Sequence, residues 1–293
     1  MDNNFLNFIK ISKSYKDLEV LKNITFSIPK NSIFGILGEN GSGKSTFMKI
    51  LTGLIKNWTG DIYFLDKSIS SNNLSLKKDF GYLIESPSFY EYLTARKNLE
   101  ILSRISNQET SRIDQVLEVV NLIDRSEDKV SNYSYGMKQR LGIAQAILHD
   151  PKVLILDEPN NGLDPNGNED MMNIIKRLRD EGKTICLSTH NLNDVENICT
   201  HFTIFKNGKN SKISTINEQL LSSNRWVINV KDVDRALKTI KKSNQIEFST
   251  HFNNNISFYS KYNDITITEI LAIFNGITIN KIIKDSNLID YFK

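Results

Sequence analysis

Cysteine is scarce in this sequence, and its placement excludes a disulfide framework and a cysteine-rich metal site. The 293 residues include only Cys186 and Cys199, which form neither a C-x-x-C pair nor a metal-binding spacing. Cys186 lies in the apolar run Thr184–Ser188, which is typical of a buried strand. We therefore predict a packed free thiol without a redox role.

Long hydrophobic runs and a strong charge imbalance are also absent. No stretch reaches the roughly 18 consecutive apolar residues of a membrane-spanning helix. Residues Met1–Phe5 lack the basic and apolar regions of a signal peptide, so a cytoplasmic location is expected. The net charge of +3, without a long block of lysine or arginine, gives no indication of a nucleic-acid partner.

The remaining composition is that of an ordinary globular protein. Hydrophobic residues make up 39% of the chain and charged residues 24%, which suffices for a sizeable core. The length exceeds that of one average domain, so one large domain or two unequal domains are predicted.

The most informative stretch has the pattern G-x-x-x-x-G-K-[ST], between an apolar run at 33–37 and a helical pattern at 47–51. Its glycines allow backbone N–H groups to approach phosphate oxygens, and the following helix adds partial positive charge. Lys44 can reach the β- and γ-phosphates, and the Ser45 hydroxyl can bind Mg²⁺. The stretch predicts a nucleoside triphosphate site formed by Gly38, Glu39, Asn40, Gly41, Ser42, Gly43, Lys44, Ser45 and Thr46.

A second pattern places two acids at the end of a buried strand. The apolar residues Val153–Leu156 are followed by Asp157 and Glu158. Such a strand delivers its acids to the crevice where ligands bind at the carboxyl ends of parallel strands. Asp157 suits Mg²⁺, and Glu158 suits polarising an attacking water. Without the upstream phosphate loop, two solvated acids at a strand-to-turn junction would be an equal alternative.

The order of the predicted elements indicates an α/β fold with a mostly parallel sheet. Short apolar runs at 5–11 and 24–28 predict an antiparallel β layer ahead of the phosphate loop. A helical period from about 92 to 123 predicts an inserted helical subdomain, placed at about 88–148. We assign residues 1–215 to this first domain.

The rest of the chain is predicted to form a small second domain. The composition shifts toward Ser, Asn and Lys around 207–224, and we interpret 216–224 as a linker. Residues 225–293 then show the order βαββαβ, which predicts a small α+β unit of the ferredoxin-like kind, with a last short helix at Asn287–Phe292. A regulatory, dimerising or bracing role remains open for it.

Three further motifs follow the phosphate loop in a characteristic order. They are the run YSYGMKQR at 133–140, the run NGLD at 161–164 and the run STH at 188–190. Together with the phosphate loop and the acidic strand, they resemble the nucleotide-binding subunit of ATP-binding cassette (ABC) transporters. The resemblance covers roughly residues 5–215 and implies the P-loop NTPase fold of an ABC cassette, with ATP and Mg²⁺ as cofactors.

The resemblance also implies roles for single residues. Tyr15, which by position alone is interpreted as a half-buried strand residue, matches the aromatic that stacks on adenine. Asp157 matches the acid that supports Mg²⁺, Glu158 the carboxylate that activates water, and His190 the histidine that contacts the γ-phosphate. Ser134 and Gly136 match the signature serine and glycine, which bind the γ-phosphate of the ATP held by a second, head-to-tail copy. Asp164 matches the loop that crosses the interface between the two copies.

Two departures from the family pattern stand out. The signature reads Tyr-Ser-Tyr-Gly-Met where Leu-Ser-Gly-Gly-Gln is usual, although its phosphate-contacting Ser and second Gly remain. Glu85 stands where most members carry a glutamine that contacts Mg²⁺ and couples to the membrane subunit. Glutamate there resembles the subgroup that exports bacitracin-type and lantibiotic peptides and gives immunity or resistance. A tolerated isostere without subgroup meaning is the alternative.

These observations predict an ATPase subunit that lies on the cytosolic face of the cell membrane and powers export through a separate polytopic permease. Phe89, Tyr90 and Tyr92 are expected where the family receives the permease, with core packing of the loop as the alternative. An exporter ATPase for another substrate and a non-transport ABC ATPase are the alternative functions. A nucleotide-binding module without activity is disfavoured, because the residues implied in hydrolysis are all present.

Overall fold

The computed structural model describes residues 4–69, 78–106, 109–218, 223–262 and 265–285. The chain divides into two compact units, Met1–Ile213 and Ser214–Lys293. The strands of the first unit are β1 (Asn4–Tyr15), β2 (Leu18–Pro29), β3 (Ile33–Leu37), β4 (Thr59–Phe64), β5 (Lys67–Ser68), β6 (Phe80–Leu83), β7 (Val153–Asp157), β8 (Thr184–Thr189), β9 (His201–Lys206) and β10 (Lys209–Asn210).

The structure describes six α-helices in the first unit. They are α1 (Lys44–Leu51), α2 (Ala95–Ser106), α3 (Thr110–Val119), α4 (Tyr135–Ile147), α5 (Pro165–Asp180) and α6 (Leu192–Ile198). The sequence pattern predicts a helix near 168–180; helix α5 begins three residues earlier, because Asp164 caps it and Pro165 occupies its first position.

Two sheets organise the first unit. The antiparallel sheet has the strand order β2-β1-β4-β5, and the larger sheet has the order β10-β9-β3-β8-β7-β6. Strands β9, β3, β8, β7 and β6 pair in parallel, and β3, β7 and β8 are buried along their whole length. This confirms the predicted α/β fold with a mostly parallel sheet and an antiparallel β layer.

Phenylalanine rings fix helix α1 against the sheets. Phe47 of α1 makes edge contacts with Phe8 of β1 and Phe205 of β9, at centroid separations of 4.9 and 5.5 Å. Phe26 of β2 stacks on Phe34 of β3 at 5.2 Å. Aromatic rings bury large apolar areas in defined geometries. The phosphate loop, which joins β3 to α1, is therefore held between well-packed elements.

Strand β1 extends beyond the predicted segment, to Tyr15. Its pairing with β2 shifts register between Phe8 and Ile11, and Lys10 has a left-handed φ of 51°. A bulge of this kind interrupts the alternation of apolar and polar residues. The period-2 pattern therefore ends before the strand does.

Both cysteines are free and buried, as predicted. Burial raises the pKa of the Cys186 and Cys199 thiols, which disfavours the reactive thiolate. Neither thiol is suited to nucleophilic or redox chemistry in the folded chain.

Among its described residues, the second unit contains a four-stranded antiparallel sheet formed by β12 (Arg225–Val230), β13 (Ile246–Phe252), β14 (Asn255–Ser260) and β15 (Ile279–Asp285), together with the helices α7 (Val233–Lys242) and α8 (Ile267–Ile273). The elements follow the order βαββαβ, and the sheet has the strand order β13-β14-β12-β15, with Trp226, Ile228, Ile256 and Phe258 in its core. The predicted helix at Asn287–Phe292 lies outside the described residues. Strand β11 (Ser214–Thr215) precedes these elements in the chain.

Candidate active site

The parallel sheet brings the predicted site residues to one edge. Strands β3, β8, β7 and β6 are neighbours, with Leu37 paired to Thr189, Asp157 to Ser188, and Leu83 to Leu156. The residues that follow these pairs leave the sheet at its carboxyl edge, where ligands bind in open parallel sheets. The phosphate loop, His190, Glu158 and Glu85 all follow strands that end at this edge.

The phosphate loop has the backbone of an anion cradle. Gly41 and Gly43 have left-handed φ angles of 81° and 107°. A Cβ at Gly38 would lie 2.6 Å from the carbonyl oxygen of Phe205, so only glycine fits there. Gly43 precedes α1 without a side-chain cap, which leaves the first N–H groups of the helix available to an anion. Ser42 is buried, and its Oγ has no hydrogen-bond partner among the described residues.

Lys44 holds a buried positive charge at the centre of this loop. Its side chain is 4% exposed, and its Nζ lies 3.5 Å from Oε1 of Glu158. The same Nζ donates to the carbonyl oxygens of Gly38, at 2.7 Å, and Glu39, at 3.1 Å. Buried ammonium groups require such partners. In this state the Glu158 carboxylate neutralises the lysine that is expected to meet phosphate.

Glu158 links the phosphate loop to strand β8. Its Oε2 lies 3.0 Å from Nδ1 of His190, and because a carboxylate only accepts, the proton of this bond is on Nδ1. Its backbone is left-handed, with a φ of 48°, and its N–H donates to Oγ of Ser188 at 3.0 Å. Ser188 Oγ donates to Oδ1 of the buried Asp157. Lys44, Glu158 and His190 thus form one continuous polar chain.

Glu85 lies just beyond β6 and pairs with a helix lysine. Its Oε1 is 2.6 Å from Nζ of Lys49 on α1, and its backbone is left-handed, with a φ of 62°. The hydrogen bond lowers the pKa of Glu85 and raises that of Lys49, to which the charge of Asp157 also contributes. Glu85 is therefore held as a carboxylate, within electrostatic reach of the same edge.

Tyr15 ends strand β1 with an exposed ring. The ammonium of Lys13 lies 4.8 Å from the ring centroid, a cation–π geometry. The Lys13 Nζ donates in turn to the carbonyl oxygens of Lys56 and Asn57. One face of the Tyr15 ring is therefore covered by a fixed cation. The side chain is exposed, and not half-buried as its position in the strand alone indicated.

The remaining predicted residues form a second cluster at two helix N-termini. Ser134 caps α4 by accepting from the N–H of Met137 at 3.2 Å, and Asp164 caps α5 by accepting from that of Gly167 at 2.8 Å. A Cβ built at Gly136 would lie 3.5 Å from Leu163. Within the described ranges, no hydrogen bond or ion pair joins Ser134 or Asp164 to Lys44, Glu158 or His190.

Sequence reasoning missed three residues that shape the site. Ser188 bonds Asp157 and the backbone of Glu158, Lys49 pairs with Glu85, and Lys13 covers Tyr15. The strand-end position of Ser188 beside His190 was a usable signal. Nothing in the sequence pairs Lys49 with a residue 36 positions later, or fixes the side chain of Lys13.

The oxygen donors at the edge fit a hard cation. The hydroxyl of Ser45 is exposed at the start of α1, and the carboxylate of Asp157 ends β7. In the part of the chain that the structure describes, no group of three or more His, Cys, Asp or Glu side chains could hold a metal ion. Mg²⁺ is usually held by one or two protein oxygens together with nucleotide phosphates, so this donor set is of the right kind.

Comparisons with known proteins agree with this geometry. A family model described as ABC transporter matches residues 21–161. The bacitracin transport ATP-binding protein BcrA of Bacillus licheniformis is 35% identical over 288 residues, covering 96% of this chain and 94% of its own. The lantibiotic transport ATP-binding protein SrtF of Streptococcus pyogenes is 39% identical over 204 residues, covering 70% of this chain and 88% of its own.

Solved structures show the same architecture. A dimeric bacterial ABC transporter cassette is 26% identical and covers 72% of this chain and 98% of its own, with a TM-score of 0.64. A dimeric cassette in a post-hydrolysis state, bound to ADP and Pi, has 25% identity and a TM-score of 0.64 over 72% of this chain and 98% of its own.

Across the described ranges, no helix combines the length and hydrophobicity needed to cross a bilayer. With its phosphate loop, acidic strand and near full-length relatives, the chain belongs to the ABC transporter ATP-binding subunits, which bind and hydrolyse ATP.

Proposed function

We propose that this subunit powers the export of a peptide antibiotic of the bacitracin or lantibiotic type, and so gives immunity or resistance. The observation that carries the proposal is the match to a bacitracin transport protein over 96% of the chain. That match extends through both compact units, whereas the general family model ends at residue 161. Glu85, in place of the usual glutamine, supports the same subgroup.

ATP is proposed to bind along the phosphate loop, Gly38–Thr46, with its adenine on the free face of Tyr15. The uncapped N–H groups of α1, the buried Lys44 ammonium and the unpartnered Ser42 hydroxyl support this placement. Mg²⁺ would be held by Ser45 and Asp157, with Glu85 as a further ligand, and would neutralise phosphate charge when bound.

Glu158 and His190 are proposed as the residues that act on the attacking water and the γ-phosphate. The Glu158 carboxylate is held on both sides, by Lys44 at 3.5 Å and by His190 at 3.0 Å. When phosphate takes over the Lys44 ammonium, one carboxylate oxygen is released and can accept a proton from water. The hydrogen bond from Nδ1 of His190 then orients the other oxygen.

Two copies are proposed to associate head to tail, so that each ATP lies between two chains. Ser134 lies at the exposed N-terminus of α4, where its oxygen accepts from Met137 while its own proton remains free to donate. Gly136 lies in the first turn of α4, and Asp164 caps the start of α5. A helix N-terminus with a free hydroxyl suits the γ-phosphate of the partner's ATP.

A separate polytopic membrane permease is the proposed second partner, which this subunit would bind from the cytosolic face of the cell membrane. The rings of Tyr90 and Tyr92 are 54% and 69% exposed and contact each other edge to face at 6.1 Å. The buried Asn98 fixes the backbone of Tyr90 through hydrogen bonds to its N–H and its carbonyl. Exposed aromatics on a rigid backbone suit a docking surface, and this exposure argues against core packing of the loop.

The chain is proposed to consist of an ABC cassette, residues 1–215, a linker, 216–224, and an accessory domain, 225–293. The division of the chain into two compact units after residue 213 supports this proposal. The cassette carries every residue assigned above.

Glu85→Gln is expected to retain ATP turnover within about tenfold of the parent while lowering resistance to the exported peptide. The amide keeps the shape and an oxygen ligand but loses the ion pair with Lys49 and the charge beside the metal. Growth inhibition by bacitracin and by a lantibiotic, in cells carrying the parent or the variant with its permease, measures the effect. Unchanged resistance in both Glu85→Gln and Glu85→Ala would remove the subgroup argument.

The double variant Tyr90→Ala/Tyr92→Ala is expected to lose co-purification with the permease by roughly tenfold or more, since buried aromatics dominate interface energies. ATP turnover of the isolated subunit should remain within about twofold, because neither ring touches the site. Tyr262→Ala, which removes an equally exposed tyrosine from the second unit, is the matched control. Equal recovery of the permease with parent and double variant would contradict the assignment of this surface.

A further inference from the structure

Tyr135 occupies the signature position where glycine is usual, and its ring lies on the loop that follows β7. A Cβ built at Gly162 would lie only 3.2 Å from Cε1 of Tyr135. Gly162 itself is left-handed, with a φ of 78°. The ring therefore lies close against the backbone of a turn whose glycine has no side chain.

The tyrosine hydroxyl is fixed one helical turn further on. It accepts a hydrogen bond of 2.7 Å from Nε2 of Gln139. Gln139 is 4% exposed, and its Oε1 has no partner among the described residues. Because an unpaired buried polar group is costly, the Tyr135 hydroxyl is an important partner for this amide. The hydroxyl end of the ring is thus held by two neighbours, the turn at Gly162 and the amide of Gln139.

The segments that meet at this ring begin two different helices. Ser134 caps α4 and Asp164 caps α5, so each segment is anchored to its own helix. Tyr135 lies against the turn at Gly162, and Gly136 faces Leu163, so the two segments pack together here. Removing the ring would take away this packing at Gly162.

We propose that Tyr135 is a positioning residue that holds the loop Asn161–Asp164 against Ser134. The signature serine and this loop then reach the partner chain as one preformed surface. The inference rests on the proposed head-to-tail dimer, in which both segments face the partner's ATP. A preformed surface lowers the ordering cost of association, so Tyr135 sets how readily ATP closes the dimer.

The loop itself is tested without ATP, by amide hydrogen exchange of the peptide that contains residues 161–164. Tyr135→Ala should raise its exchange rate roughly five- to tenfold, because the turn loses its packing. Tyr135→Phe keeps the ring and should raise it less. Tyr133→Phe is the matched control, since the Tyr133 hydroxyl donates to the carbonyl of Arg125 and does not touch the loop. Unchanged exchange in Tyr135→Ala would overturn the proposal.

The consequence for closure is measured in a Glu158→Gln background by sedimentation. Tyr135→Ala should raise the ATP concentration for half-maximal dimer roughly tenfold, with ATP affinity at low protein concentration unchanged. An unchanged midpoint would also overturn the proposal. The exchange measurement decides the role of Tyr135 even when the Glu158→Gln parent forms no dimer, and that failure would count against the proposed function alone.

Discussion

Glu158→Gln is expected to lower ATP turnover roughly 100- to 10,000-fold, the range for loss of a positioned proton acceptor, while ATP remains bound. Glutamine preserves the size of the side chain and a hydrogen-bond acceptor for His190. It cannot take a proton from water. Affinity for ATP should hold or rise, because the carboxylate no longer competes with phosphate for the Lys44 ammonium, 3.5 Å away.

Steady-state phosphate release and equilibrium nucleotide binding, measured on the same preparation, separate these two effects. Glu181→Gln is the matched control, because Glu181 pairs with Arg177 at an exposed helix end away from the site. Turnover at the parental rate in Glu158→Gln would remove Glu158 from its assigned role. Loss of binding together with turnover would indicate a folding defect at the left-handed backbone of this residue.

Lys44→Ala is expected to abolish ATP binding in the micromolar range. Loss of charge-assisted hydrogen bonds to phosphate costs about 2–4 kcal/mol, which corresponds to a rise in Kd of roughly 30- to 1,000-fold. The variant also leaves Glu158 without its buried counter-charge, so the phosphate site carries an uncompensated negative charge. Both effects act in the same direction.

Titration calorimetry with ATP measures this loss, and thermal unfolding without nucleotide shows whether the loop has kept its fold. Lys176→Ala, on helix α5, is the control for removal of a partly buried helix lysine. Binding within tenfold of the parent would show that the loop backbone, and not Lys44, supplies most of the affinity.

The sequence was sufficient to predict the parts of the molecule that depend on local patterns. The phosphate loop, the buried acidic strand and the order of strands and helices follow from glycine spacing, apolar runs and caps, and the structure has them in that order. The start of α5 was missed by three residues, although Asp164 and Pro165 mark it. The end of β1 was missed because a bulge breaks the alternation.

The contacts that define the state of the site were beyond sequence reasoning. The pairing of Lys44 with Glu158, of Lys49 with Glu85 and of Tyr135 with Gly162 joins residues far apart in the chain. Each depends on side-chain directions that only the packed sheet and helices determine. An alternative charge partner for Lys49 would have fitted the sequence equally well.

Each ATP site is proposed to be built from two chains, and mixing two inactive variants tests whether it is. Lys44→Ala removes the phosphate loop's cation, whereas Ser134→Asp keeps the α4 cap but repels phosphate. In a head-to-tail dimer of the two variants, one site carries both lesions and the other carries none. Mixing is expected to restore about a quarter of the parental turnover, since half of the dimers are mixed and each has one intact site. Turnover no higher than the sum of the separate variants would contradict it.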